Sequence, residues 1–167
     1  MPQQSEDWKD RDNYAYTAKF SLREWAWEFL RRNPDFIADW KQAQSQYAFY
    51  GQDGATTILL AMKDDLILRK WGCLYASNPD EDSRSASVFW GPEICGGILH
   101  LNAIPASDAE AFTLHQIYSP SVVLELKGSE QHILFAYEGC WLQIAIAGAD
   151  ILKPGRFLLS LSPDQRV

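Results

Sequence analysis

The residues best suited to chemistry in this chain are three cysteines, Cys73, Cys95 and Cys140, and three histidines, His100, His115 and His132. None stands in a Cys-x-x-Cys or His-x-x-x-His spacing, which brings metal ligands onto one turn or hairpin, so no metal centre is expected. An odd count of widely spaced cysteines in apolar or glycine-containing surroundings, without a secretory signal, reads as free thiols in a reducing compartment. The carboxylates cluster at Asp64-Asp65 and at Asp80-Glu81-Asp82. The first pair is expected on an exposed helix face and the second in a loop, both solvated surface rather than acid–base pairs. There is no Gly-x-Ser-x-Gly, no phosphate-binding glycine loop before a helix and no His-Glu-x-x-His. No catalytic residue and no cofactor is therefore assigned, and the chain is expected not to be an enzyme.

The element around which the chain is organised is Ser21 to Phe36, SLREWAWEFLRRNPDF. Ser21 and Glu24 form a capping-box pattern that starts a helix. Leu22, Trp25, Ala26, Phe29 and Leu30 then recur at helical spacing and predict a core-facing stripe, with Arg23, Glu24, Glu28 and Arg31 outside it. Trp27 points away from that stripe and needs a second buried surface or a partner. At Asn33-Pro34-Asp35 the first helix ends and a second begins, because the residue before proline is pushed out of the α region while proline suits a first helical position.

The second helix is expected from Pro34 towards Tyr50, with Phe36, Ile37, Trp40, Ala43 and Tyr47 on its apolar face, ended by the Gly51 to Gly54 breaker. A third is expected over Thr57 to Trp71, with Gly72 as a left-handed cap; Leu66-Ile67-Leu68 reads alternatively as a strand. Upstream, Trp8, Tyr14 and Tyr16 suggest an extended arm packed on the first helix. Downstream, Ala76 to Ser87 reads as a polar loop or linker, and Val88 to Trp90 and Ile98 to Ile104 as short strands. Ala109 to Tyr118 is ambiguous. From Val122 the alternation predicts a three-stranded meander with turns at Gly128-Ser129 and Glu138-Gly139, followed by an apolar segment at Phe157 to Leu161.

With 47% hydrophobic and 22% charged residues, the 167-residue chain can bury a core and is not a disordered polymer. A net charge of −7 argues against a broad, sequence-independent grip on phosphate. No apolar run has the length of a membrane span and the N-terminus is polar and acidic, so a cytoplasmic location without membrane contact is expected. The two helices meeting at Asn33-Pro34 invite comparison with a helix-turn-helix, but the second opens Pro34-Asp35-Phe36-Ile37-Ala38-Asp39, acidic where a reading helix is polar or basic. The pairs Arg31-Arg32 and Arg69-Lys70 read first as helix C-terminal charges and only second as phosphate contacts.

Trp8, Tyr14 and Tyr16 leading into EWAWEFLRRNPDF, then Trp71-Gly72, Asn78-Pro79-Asp80 and Val88-Phe89-Trp90, resemble the alphaproteobacterial proteins with a transcriptional regulator-like domain. The resemblance covers Trp8 to Pro105. It implies a regulatory role on integrative and conjugative elements, and a following domain that opens with a β-hairpin and continues into DNA-binding helices. On that comparison the chain stops at Val167, where those helices would begin, and is expected to act as an interaction module.

Together these readings give an α+β protein: an N-terminal three-helix module plus a small antiparallel β-meander. Its segments are 1–75, the helical module; 76–120, linker and short strands; and 121–167, the hairpin or meander of a truncated second domain. The expected function is transcription regulation through a protein partner or self-association, with direct DNA binding as one alternative and a small-molecule sensor or enzyme as another. Trp27, Arg31 and Arg32 are the candidate interaction residues.

Overall fold

The structure, a computed structural model, describes residues 11–94, 97–104, 113, 121–127, 130–137, 140–148, 150 and 153–160. Trp8, Cys95, His115, the two expected meander turns and Ala109 to Tyr118 apart from Thr113 lie outside them.

The expected three-helix module does not form. Two α-helices stand among the described residues, α1 (Leu22–Leu30) and α2 (Pro34–Ala43). The Asn33 side chain accepts from the amides of Asp35 and Phe36 at 2.9 and 3.4 Å, and so starts α2 within three residues of the end of α1. The second helix ends at Ala43 and does not run on towards Tyr50: Tyr47–Asp53 is strand β1. The third is replaced by strand β2 (Thr56–Ala61) and a 3-10 turn at Ile67–Trp71. Gly72 does cap that turn, with φ of 76°. The helix-like sequence of β2 has a physical cause. Thr-Thr-Ile-Leu-Leu-Ala is half-buried or buried throughout, so it shows a continuous apolar run rather than alternation, and such a run fits a helix as well as a strand. The N-terminal arm is likewise not extended but a 3-10 helix over Arg11–Lys19.

The meander forms, but not as a small separate sheet. Its strands β6 (Ser121–Glu125), β7 (Glu130–Tyr137) and β8 (Cys140–Ala147) are the centre of a seven-stranded mixed sheet. With β5 (Leu99–Ile104) and β9 (Arg156–Ser160), the strand order is β1-β2-β6-β7-β8-β5-β9. The pairs β2/β6 and β5/β8 are parallel and the others antiparallel. At the parallel junction the hydroxyls of Thr56 and Ser121 share a buried hydrogen bond of 2.8 Å, which fixes the register of Thr56 against Ser121.

Strands β3 (Cys73–Ala76) and β4 (Val88–Trp90) form a two-stranded ribbon between the helices and this sheet. Alternation along β4, and a bulge between Cys73 and Tyr75 in β3, make the ribbon feed two cores. Cys73, Ala76, Val88 and Trp90 pack with Trp27 and Phe36 of the helices. Leu74 and Phe89 pack with Leu124, Leu126 and Leu134 of the sheet. The opposite sheet face carries Val123, Ile133, Phe135, Ile144 and Ile146.

A ribbon buried on both faces must still satisfy its backbone edge. At Trp90 a side chain does this. The fully buried Gln143 of β8 accepts from the Trp90 amide at 2.9 Å through Oε1, and its Nε2 donates to the Trp90 carbonyl at 2.9 Å. Nε2 also lies 3.1 Å from Nδ1 of buried His132, which requires Nδ1 to accept, so the His132 proton resides on Nε2. That Nε2 donates to Glu130 Oε1 at 2.9 Å and holds the Glu130 carboxyl below the usual carboxylate range, against the opposing effect of burial. Replacing Gln143 by leucine keeps the volume and strands both Trp90 groups. Urea unfolding of Gln143→Leu is expected to show a loss of about 2–4 kcal/mol; a loss under about 0.5 kcal/mol would contradict this role.

Candidate interaction surface

Helix α1 starts as its sequence dictates. The Ser21 amide donates to Glu24 Oε2 at 2.6 Å, and the Trp25 amide to the Ser21 carbonyl at 3.1 Å. The face it buries is rotated from the expected one, so that Ala26 and Leu30 stay against the core but the rest of the stripe does not. Leu22 is 89% exposed, Phe29 71% and Trp25 36%, whereas Trp27 is 1% and Glu28 4% exposed. Trp27 meets Phe36 edge to face at 5.8 Å, and Phe36 meets Trp71 in the same way at 5.7 Å. Of the stripe read as core, Leu22, Trp25 and Phe29 are at the surface while Ala26 and Leu30 do pack on the core, and the residue read as an outlier, Trp27, anchors it.

The rotation follows from what Glu28 does. Its Oε2 accepts from Arg31 Nε at 2.7 Å, from Arg32 Nη1 and from the Tyr16 hydroxyl at 3.2 Å, while Oε1 accepts from the Ser83 amide at 2.9 Å. Burial alone would raise the Glu28 pKa; the Ser83 amide and the two guanidinium groups outweigh it and hold the carboxyl below its ordinary value. A carboxylate buried in this way fixes the rotation of α1, since any other rotation would leave the charge or its partners unpaired.

The polar stretch from Ala76 to Ser87 is fastened by indoles as well. Trp27 Nε1 donates to the Glu81 carbonyl at 3.0 Å, Trp40 Nε1 to the Ala76 carbonyl at 3.0 Å and Trp141 Nε1 to the Ser83 carbonyl at 3.3 Å. Arg84 stacks over the Tyr16 ring at 4.8 Å and pairs with Asp82. Glu81 accepts from the Ser77 hydroxyl at 2.8 Å, so this acidic cluster is engaged in local structure.

The candidate residues are placed as follows. Trp27 lies inside, 1% exposed. Arg31 and Arg32 lie beside one another at the end of α1 and share the Glu28 carboxylate. The second basic pair is divided: Lys70 pairs with Asp39 at 2.7 Å, which also accepts from Trp71 Nε1 at 2.7 Å, while Arg69 is exposed. Cys73 is buried and His132 lies in the sheet interior, while His100 is half-buried on β5. Among the described residues no three metal-binding side chains converge, and no helix is long and apolar enough to cross a membrane.

What the structure does present is a continuous aromatic surface. Tyr16 and Phe20 meet at 5.3 Å, Phe20 and Trp25 at 5.9 Å, and Trp25 stacks on Phe29 at 6.0 Å. With exposed Leu22 this forms a patch on one side of α1, the type of surface that marks an interaction site. Sequence periodicity singled out Leu22, Trp25 and Phe29 but assigned them to the core; Tyr16 was expected in an arm packed on the helix. The signal that could have corrected it is Glu28 with arginines three and four positions on, a carboxylate and two guanidinium groups sharing one helix face.

Residues 7–75, less than half of the chain, match the model of the proteobacterial transcriptional regulator-like domain. The match spans α1, α2, β1, β2 and nearly all of β3, and its description points to a transcriptional regulator-like role. No curated protein and no solved structure matches the chain.

Two outcomes follow from the buried groups. Glu28→Gln is expected to lower stability at neutral pH by about 2 kcal/mol in urea unfolding. Because the folded-state pKa of Glu28 is depressed, its contribution is complete above the unfolded pKa near 4 and disappears as pH falls through the lower folded value. The wild type should therefore lose stability more steeply than Glu28→Gln below about pH 4; parallel curves would refute the assignment. Burial pushes the Cys73 thiol up to about 12. In a chain with Cys95 and Cys140 replaced by serine, Cys73 should react with an aromatic disulfide reagent only as fast as the protein unfolds.

Proposed function

We propose that this protein regulates transcription as the protein-docking member of an assembly, through the outer face of α1, and that its partner is a basic protein which carries the DNA contact. The observation that supports this reading is the exposed Leu22, Trp25 and Phe29 face on a segment matched by a transcriptional regulator-like domain. Electrostatics agrees. Arg31, Arg32 and Lys70 each face a carboxylate, and the chain carries a net charge of −7. An acidic protein with an apolar patch complements a positively charged one and repels nucleic acid. The setting on a mobile or conjugative element rests on the sequence resemblance alone.

The test has two arms. Labelled duplex from upstream of the protein's own gene, titrated with the chain alone across a salt series, is expected to show no sequence-specific binding. A reporter driven by the same segment is expected to respond to the chain in cells, and Leu22→Asp and Phe29→Asp should abolish the response while leaving near-ultraviolet circular dichroism unchanged. Specific binding by the chain alone at moderate salt would overturn the reading and place DNA contact within these residues. So would a reporter response that both variants leave intact.

A further inference from the structure

A cleft of about 270 Å³ opens between the start of α1, the loop at Ser83 and strands β4 and β8. Its walls are mainly apolar: Trp27, Trp90 and Trp141, with Val88 and Leu134. Such a volume, at the small end of ligand pockets, takes one ring with a short tail.

The polar groups around it are few and unbalanced. Lys19 and Arg23 both line the cleft, and neither has an ion-pair or hydrogen-bond partner among the described residues. Glu24 is the one acid in the lining, and its Oε2 is held by the Ser21 amide. Ser83 also lines the cleft. Its hydroxyl is buried, and it is the one buried side-chain polar atom without a hydrogen-bond partner among the described residues. Its amide and carbonyl are already committed to Glu28 and Trp141. A buried hydroxyl with a proton to donate and no acceptor calls for a group that the protein does not supply.

Gly97 lies against the Arg23 guanidinium: a Cβ built there would stand 2.7 Å from Arg23 Nη2, so the guanidinium would have to shift aside. The chain thus passes close to the guanidinium without displacing it.

From these features we infer that the cleft binds a small monocarboxylic acid with an aromatic or compact aliphatic body. The body lies among the tryptophans, the carboxylate meets Arg23 and Lys19, and the Ser83 hydroxyl donates to the carboxylate or to a water that bridges to it. The inference is independent of the docking reading, since ligand binding is measured on the isolated chain.

The probe is 3-phenylpropionate, with 3-phenylpropionamide as its neutral counterpart. Indole N–H signals of the seven tryptophans report the site in two-dimensional NMR. The acid should shift the signals of Trp27, Trp90 and Trp141 saturably, while those of Trp40 and Trp71 stay in place. The amide should bind about tenfold more weakly, the loss expected for one charge-assisted contact. Arg23→Gln should weaken acid binding towards, but not fully to, the affinity of the amide, since Lys19 remains, and leave the amide unchanged. Gly97→Ala, which retains every charge but displaces the guanidinium, should weaken acid binding in the same direction. Absence of a saturable shift up to ~10 mM overturns the inference. Equal binding of acid and amide, or equal acid affinity in the wild type and both variants, overturns it as well.

Discussion

A ribbon of two short strands buried between two layers has nowhere to send the backbone groups of its open edge, and the arrangement of this protein depends on how that constraint is met. At Trp90 the neighbouring strand is replaced by one side-chain amide. Gln143 presents the donor and acceptor that a β-strand residue would present, and thereby ties the ribbon to the centre of the sheet. Its remaining proton is directed at His132, whose other nitrogen is directed at Glu130, so the buried polar groups form a chain that ends at the surface. The ribbon can then supply apolar side chains to the helices on one side and to the sheet on the other.

A second polar anchor sets the helices on the ribbon. Glu28 ties α1 to the Ser83 amide, and the indoles of Trp27 and Trp40 hold the flanking carbonyls. The numerous tryptophans thus have two roles at once: their rings fill the core beneath the helices, and their N–H groups satisfy an irregular loop that has no ladder partners of its own. Fixing α1 in this rotation has an outward effect. Leu22, Trp25 and Phe29 are presented to solvent because the carboxylate and the largest ring occupy the inner side.

Much of the local structure was legible in the sequence. The start of α1, the corner at Asn33-Pro34, the left-handed Gly72 and the strands from Val122 onward follow from short-range chemistry and form, although Gly72 ends a 3-10 turn in place of the expected helix and the strands lie inside a seven-stranded sheet in place of a small meander. The rotation of α1 was not legible, because periodicity ranks faces by hydrophobicity and the exposed stripe of Leu22, Trp25 and Phe29 outranks one that contains a glutamate. Nor was β2, where burial on both faces erased the alternation that marks a strand. The cleft was invisible for another reason: Lys19, Arg23, Ser83 and Trp141 come together only through tertiary packing, and nothing in their spacing links them.

The parallel pairing of β2 with β6 also imposes an order in time. Thr56 and Ser121 are 65 positions apart, and a contact of that span forms slowly because the entropy of closing the intervening loop must be overcome first. During synthesis β2 leaves the ribosome well before its inner neighbour exists, and at about 5–20 residues per second the delay lasts for seconds. Only β1 is available to cover it, and β1 itself exposes Phe49 and Tyr50. Throughout that interval the nascent chain carries a two-stranded apolar edge open to any other extended segment, a window in which a chaperone would matter more than it does for the finished molecule.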